Sequence, residues 1–149
     1  MSELKARILE DVKTAMRGGD KLRLGVLRML TAEIKQREVV ESMEITDAVV
    51  ISAIEKLIKQ RREAETQFRA GARPDLADKE AAEIQFLLAY LPQQLGEAEL
   101  GALIQQAIAE TGAAGIKDMG KVMGWLKPKV AGRADMGKLS GSIKSKLGG

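Results

Sequence analysis

Apolar residues recur three and four positions apart along most of the chain, and no segment alternates convincingly at period two. Spacing of that kind lines one side of a helix, whereas a half-buried strand needs strict alternation. The sequence therefore predicts an all-α protein without a sheet. Leu4, Ile8, Val12 and Ala15 form a first stripe, with Ser2 placed to cap it and Gly18-Gly19-Asp20 placed to stop it and start the next helix. Leu22, Val26, Leu27, Leu30 and Ile34 form a second stripe, on a helix where Lys21, Arg28 and Lys35 share one side. Thr46-Asp47 opens a third helix carrying Val50, Ile54, Leu57, Ala64 and Phe68. Arg61 falls on that same stripe, which implies a structural ion pair with a glutamate. Gly71 ends this helix, and Asp75 is expected to cap a fourth, carrying Ala77, Ala81, Ile84, Leu88 and Leu91, which Pro92 should end.

Pro92-Gln93-Gln94-Leu95-Gly96 is the expected boundary between an amino-terminal helical bundle or hairpin domain, residues 1–92, and a small carboxy-terminal helical bundle, residues 96–149. Gly96 reads as the cap of a helix with Leu100, Leu103, Ile104, Ala107 and Ile108 inward, Leu95 and Leu100 forming a staple and Thr111-Gly112 closing it. Short helices and glycines follow. Residues 118–127 and 135–144 repeat one another, with six of ten positions identical. Each copy reads as a short Asp-capped helix with a lysine near its amino end, joined by a connector from Pro128 to Ala134.

Composition excludes several chemistries. Cysteine and histidine are absent, which rules out disulfides, thiolate nucleophiles, cysteine or histidine zinc sites and every Ser-His-Asp or Cys-His mechanism. No carboxylate cage suited to a metal appears, and no cofactor is expected. Gly115 to Lys121 matches G-x-x-x-x-G-K, but Val122 stands where a P-loop needs Ser or Thr, and a helix rather than a strand precedes it. Aromatics are only 3%, so the core must be aliphatic. Phe68, Phe86 and Tyr90 are expected inside, and Trp125 is expected to anchor the small bundle rather than stack on a base. No apolar stretch suits a membrane span, and the first residues lack an apolar leader, so a cytoplasmic protein is expected.

The net charge of +3 conceals a partition. Residues 72–111 hold two basic and seven acidic groups, whereas residues 112–149 hold eight basic and two acidic. A local field of that kind favours a polyanion more than the total suggests.

Tyr90-Leu91-Pro92-Gln93-Gln94-Leu95, Glu99-Leu100, Asp118-Met119-Gly120-Lys121-Val122-Met123 and Gly132-Arg133-Ala134-Asp135 strongly resemble the GatB/YqeY family. Leu27-Arg28-Met29-Leu30, Arg61-Arg62-Glu63 and Arg73-Pro74-Asp75-Leu76 fit its stand-alone YqeY-like members, so the resemblance covers essentially the whole chain. Gly96 departs from the family by standing where a serine is usual, and Met136 makes the second repeat an unusual match to the first. The resemblance implies two helical parts, the second similar to the tail domain of the B subunit of aspartyl/glutamyl-tRNA amidotransferase, which contacts tRNA. It thereby implies a link to glutamine-dependent tRNA amidation, a carbon–nitrogen ligase reaction with glutamine as amido donor.

The residues limit that link to binding. Ser140, Ser142 and Ser145 lie in a lysine-rich helix with no oxyanion-hole loop suggested, so no catalytic residue is assigned. The expected nucleic-acid contacts are Lys117, Lys121, Lys127, Lys129, Arg133 and Lys138, in a segment that also carries Lys144 and Lys146. Gly120, Gly124, Gly132 and Gly137 are expected to let another backbone approach, and short helix amino ends to favour phosphate oxygens. tRNA is the expected partner, alone or within an amidation or aminoacylation assembly, with no membrane partner and no DNA sequence specificity. The alternatives are a helical adaptor that binds only proteins and, weakest, an independent amidotransferase.

Overall fold

Side-chain caps and glycines set most of the helix ends. In the computed structural model, which describes residues 2–148, α1 (Glu3–Gly18) begins where the Ser2 hydroxyl accepts the Lys5 N–H at 3.0 Å. It ends at Gly19, whose φ of 68° is left-handed and costs glycine little. Asp20 then caps α2 (Lys21–Lys35) by accepting the Arg23 N–H at 3.2 Å. α2 continues into a π-helical turn, Gln36–Val40, that the apolar spacing does not announce. Thr46 caps α3 (Asp47–Ala70) through the Val49 N–H at 3.3 Å.

The fourth helix, α4 (Pro74–Leu88), corrects two expectations. Pro74 occupies the first turn, where its missing N–H costs nothing, so the cap position falls to Arg73. Asp75 instead sits in the first turn and pairs with the Arg73 guanidinium at 3.1 Å. The helix also stops before Leu91, because the Tyr90 N–H bonds the Leu87 carbonyl at 3.1 Å and the Leu91 N–H bonds the Leu88 carbonyl at 3.0 Å. These tighter bonds unwind the last turn ahead of Pro92.

The chain divides into two compact units, Met1–Leu91 and Pro92–Gly149. In the first, α1 and α2 form an antiparallel hairpin, as the Lys5–Glu38 and Arg23–Asp11 contacts show, and α3 and α4 form a second. Ile8, Val26, Leu27, Leu30, Val50, Ile54 and Leu87 are sealed between them. Arg61 lies within this stripe at 5% exposure, and its Nε donates to Glu83 at 2.9 Å. Its remaining nitrogens reach the Leu57 carbonyl at 3.4 Å and the Met29 sulfur at 3.2 Å, so the buried charge is surrounded by acceptors. Tyr90 is also buried, donates its hydroxyl to Asp11 at 2.5 Å, and lies beneath the Arg7 guanidinium. Phe86 packs partly buried against this core, whereas Phe68 is half-buried outside the cluster.

The second unit comprises α5 (Glu97–Thr111), a 3-10 turn at Ile116–Asp118, α6 (Met119–Val130) and α7 (Met136–Gly148). Ile104, Ala107, Val122, Leu126, Val130, Leu139 and Ile143 make its core, with Leu95 and Leu100 packed on one edge. No strand occurs among the described residues. The expected connector begins at Pro128, yet α6 runs through it to Val130. The proline lies in the last turn, where one backbone hydrogen bond is forfeited, and burial of Leu126 and Val130 holds the turn in place.

Candidate nucleic-acid interface

The internal repeat becomes two helices with the same outward face. On α6, Val122, Leu126 and Val130 point into the core, leaving Gly120, Lys121, Gly124 and Lys127 exposed. On α7, Leu139 and Ile143 are buried, leaving Gly137, Lys138, Gly141 and Lys144 exposed at the matching repeat positions. At helical spacing each pair of glycines forms a low strip with a lysine on either side. Gly120 and Gly124 have nothing within 4 Å of where a Cβ would stand, so neither serves packing inside the chain. Pro128 has no N–H for the Gly124 carbonyl, so that oxygen lacks its usual helical donor on the same strip.

The cations of this unit are largely available. Lys117, Lys127, Lys138 and Lys144 are exposed and make no ion pair among the described residues. Lys121 approaches Asp118 at 3.8 Å while remaining 67% exposed, a contact of little strength. The Ala114 N–H, opposed by burial and assisted by the charges of Lys121 and Lys117, holds the Asp118 carboxyl below the ordinary carboxylate range. Residues 92–149 carry eight basic and five acidic side chains, so the whole net charge of the protein resides there.

Other expected site residues are engaged internally. Arg133 donates its Nε to the Gln93 carbonyl at 3.1 Å, and its own carbonyl accepts the Leu95 N–H at 2.8 Å. Gln94 Nε2 donates to the Gly132 carbonyl at 2.7 Å. The Pro-Gln-Gln-Leu and Gly-Arg-Ala-Asp motifs are thus two halves of one clasp. Gly132 is buried with φ at 72°, so its freedom is used by the turn itself. Lys129 stands 4.0 Å above the Trp125 ring, and the indole N–H donates to Glu110 at 2.9 Å. Trp125 therefore packs at the edge of the core, half-buried, rather than filling its centre.

The two helix amino ends differ despite their matching sequences. Asp135 Oδ1 accepts the Gly137 N–H at 2.8 Å and the Lys138 N–H at 3.3 Å, so a carboxylate already occupies the position a phosphate would take at α7. A Cβ on Gly137 would meet that carboxylate at 3.2 Å, so this glycine serves the cap. Asp118 turns backwards instead and accepts the Ala114 N–H at 2.9 Å, leaving α6 without a side-chain cap. The expectation of two Asp-capped helices therefore holds for the second copy and fails for the first.

An all-helical pair of units, a clasped Pro-Gln-Gln-Leu segment and a lysine–glycine repeat define the class to which the sequence motifs pointed. The Yqey-like protein family matches residues 5–147, and the chain belongs to that family. It is 33% identical over 120 residues to altered inheritance of mitochondria protein 41, mitochondrial, of Pyrenophora tritici-repentis, covering 79% of this chain and 66% of that protein. The protein of the same name from Lachancea thermotolerans is 29% identical over 127 residues, covering 80% and 68%. An uncharacterised protein of Schizosaccharomyces pombe is 33% identical over 90 residues, covering 60% and 73%. The chain thus spans about two thirds of the length of the first two relatives. Both are named as mitochondrial proteins, which overturns the cytoplasmic expectation: the composition of the first residues does not report a compartment. No helix among the described residues is long and apolar enough to cross a membrane.

Proposed function

We propose that this protein docks on tRNA, alone or within a tRNA-amidation assembly, through the lysine–glycine face of residues 92–149, and that it acts by adhesion rather than by making bonds. The observation that carries this reading is the coincidence of the entire net charge with exposed lysines, unpaired or nearly so, beside open glycine strips. A phosphate backbone needs cations free to replace its counterions. A glycine surface lets that backbone approach without a side chain intervening. Lys117, Lys121, Lys127 and Lys138 are the contacts assigned first, while Arg133 also holds the Gln93 carbonyl and Lys129 also stands over the Trp125 ring.

The test is a titration of bulk tRNA into the full chain at low salt. Lys121→Glu with Lys127→Glu should weaken binding by about tenfold or more, at two reversed phosphate contacts, with an unchanged far-ultraviolet spectrum. Equal binding by the two proteins, or none by either, would remove the reading. Release of ammonia from glutamine by the pure protein would remove the part that denies it chemistry.

A further inference from the structure

The first unit carries a cleft that the tRNA reading does not use. It has a volume of about 480 Å³ and is lined by Ile8 and Leu9 of α1, Arg28, Ala32 and Ile34 of α2, and Val39 of the π-helical turn, among others. Its lining is mostly apolar and it is partly open to solvent. Leu9 is 44% exposed and Val39 is 64% exposed, and Val40, next to Val39 in the chain, is exposed too. Exposed apolar surface of this extent marks interaction sites on soluble proteins. A π-helical segment forming a wall is a further departure from regular structure of the kind found at functional positions.

The charges around this cleft are not balanced. Lys5 closes one end by pairing with Glu38 at 2.9 Å, which leaves neither charge unmet. Arg28 and Lys35 stand two helical turns apart on one side of α2, both exposed and without an ion pair among the described residues. Two exposed cations without an ion pair among the described residues, placed on the rim of an apolar trough, suit an anionic partner with an apolar face.

We propose that this trough between α1 and α2 receives an amphipathic helix of a partner protein whose polar flank is acidic. Two parallel ridges with an open apolar valley suit a helix laid along them, with apolar side chains at helical spacing entering the valley. Acidic residues seven apart on that helix would meet Arg28 and Lys35 together. A small amphiphile fits less well, because sites for such ligands enclose most of the ligand and this cleft is only partly enclosed.

The experiment uses the full chain and two fluorescent peptides of about 15 residues, with leucines at helical spacing and either glutamate or lysine on both flanks. The glutamate-flanked peptide should bind at least about tenfold more tightly than its lysine counterpart. Arg28→Glu with Lys35→Glu should reverse that preference, and Leu9→Asp should weaken both peptides with no change in the circular dichroism spectrum. Lys121→Glu with Lys127→Glu should leave peptide binding intact, which separates this site from the tRNA surface. Failure of the glutamate-flanked peptide to bind, or equal binding of the two peptides, would overturn the proposal. So would loss of tRNA binding in the Arg28→Glu, Lys35→Glu protein equal to that in the carboxy-terminal variant, since the stripe would then belong to an RNA surface.

Discussion

Residues 1–91 and 92–149 are built alike, from short-linked helices around aliphatic cores, but they spend their charges differently. The first unit holds 16 basic and 16 acidic side chains, which sum to zero, and at least half of the basic ones pair with acids of the same unit. Arg61 pairs with Glu83, Arg37 and Lys56 share Glu33, Arg69 bridges Glu65 and Asp78, and Arg73 holds Asp75. In the second unit Lys121, Lys127, Lys138 and Lys144 project beside glycines, and among the described residues the contact these lysines make with an acid, Lys121 to Asp118, is long and exposed. Charge that can bind a partner is therefore distinguished by what surrounds it, not by its abundance in the sequence. Within the first unit, Arg28 and Lys35 flank the apolar cleft without an ion pair among the described residues.

Breaking a buried pair should have the largest effect. Glu83→Ala strands the Arg61 guanidinium inside the first unit and should cost about 3–5 kcal/mol, read from the urea midpoint by far-ultraviolet circular dichroism. Replacing both partners, Arg61→Met with Glu83→Leu, should cost much less, because no unpaired charge remains. In the second unit the equivalent weak point is apolar. Leu126→Ala should cost about 2–5 kcal/mol, and Trp125, the sole tryptophan, reports that unfolding by fluorescence.

The clasp should be more modest. Gly132→Ala puts a Cβ on a left-handed residue and should cost about 1–2 kcal/mol, again read from Trp125. The single tyrosine tests the first unit by pH. Burial, followed by its hydrogen bond to Asp11, pushes the Tyr90 phenol up to about 12. A folded value above the unfolded one means that stability is fully present below pH 10 and is lost as pH rises towards 12. The tyrosinate absorbance should therefore appear near pH 12 in the folded protein, and Tyr90→Phe should remove that pH dependence. The smallest effect is expected at the surface: Lys121→Glu with Lys127→Glu should change stability by less than about 0.5 kcal/mol.

Much of this was legible before any coordinates. Helical stripes, the caps at Ser2, Asp20 and Thr46, and the glycine stops follow from local chemistry, and local chemistry survives folding. Arg61 announced an internal partner by standing among apolar residues, although only the packing of α3 on α4 identifies Glu83. What was not legible depends on neighbours distant in sequence. Arg133 reads as a cation of a basic segment, and only the fold shows that its Nε and carbonyl also hold the returning chain at Gln93 and Leu95. Asp118 and Asp135 have matching sequence contexts, yet the Ala114 backbone draws one away from its helix while the other accepts the Gly137 and Lys138 N–H groups of its own. Pro128 reads as a break, and only the burial of Leu126 and Val130 shows why the helix continues. The cleft beside Leu9 went unforeseen, although Arg28 and Lys35 were seen to share a side, because its depth depends on how α1 meets the π-helical turn.

The account stands on the cations of residues 92–149 being adhesive and those of residues 1–91 being structural. Its most direct test is the dependence of tRNA affinity on salt for the full chain, for Lys121→Glu with Lys138→Glu, and for Arg69→Glu with Arg73→Glu. The unaltered protein should lose affinity steeply, by a slope of roughly 0.7–0.9 per phosphate contact on logarithmic axes. The lysine variant should flatten that slope by about two contacts, and the arginine variant should leave it unchanged. A slope that is flat from the outset, or that responds to the arginine pair and not to the lysines, would contradict the division of labour between the two units.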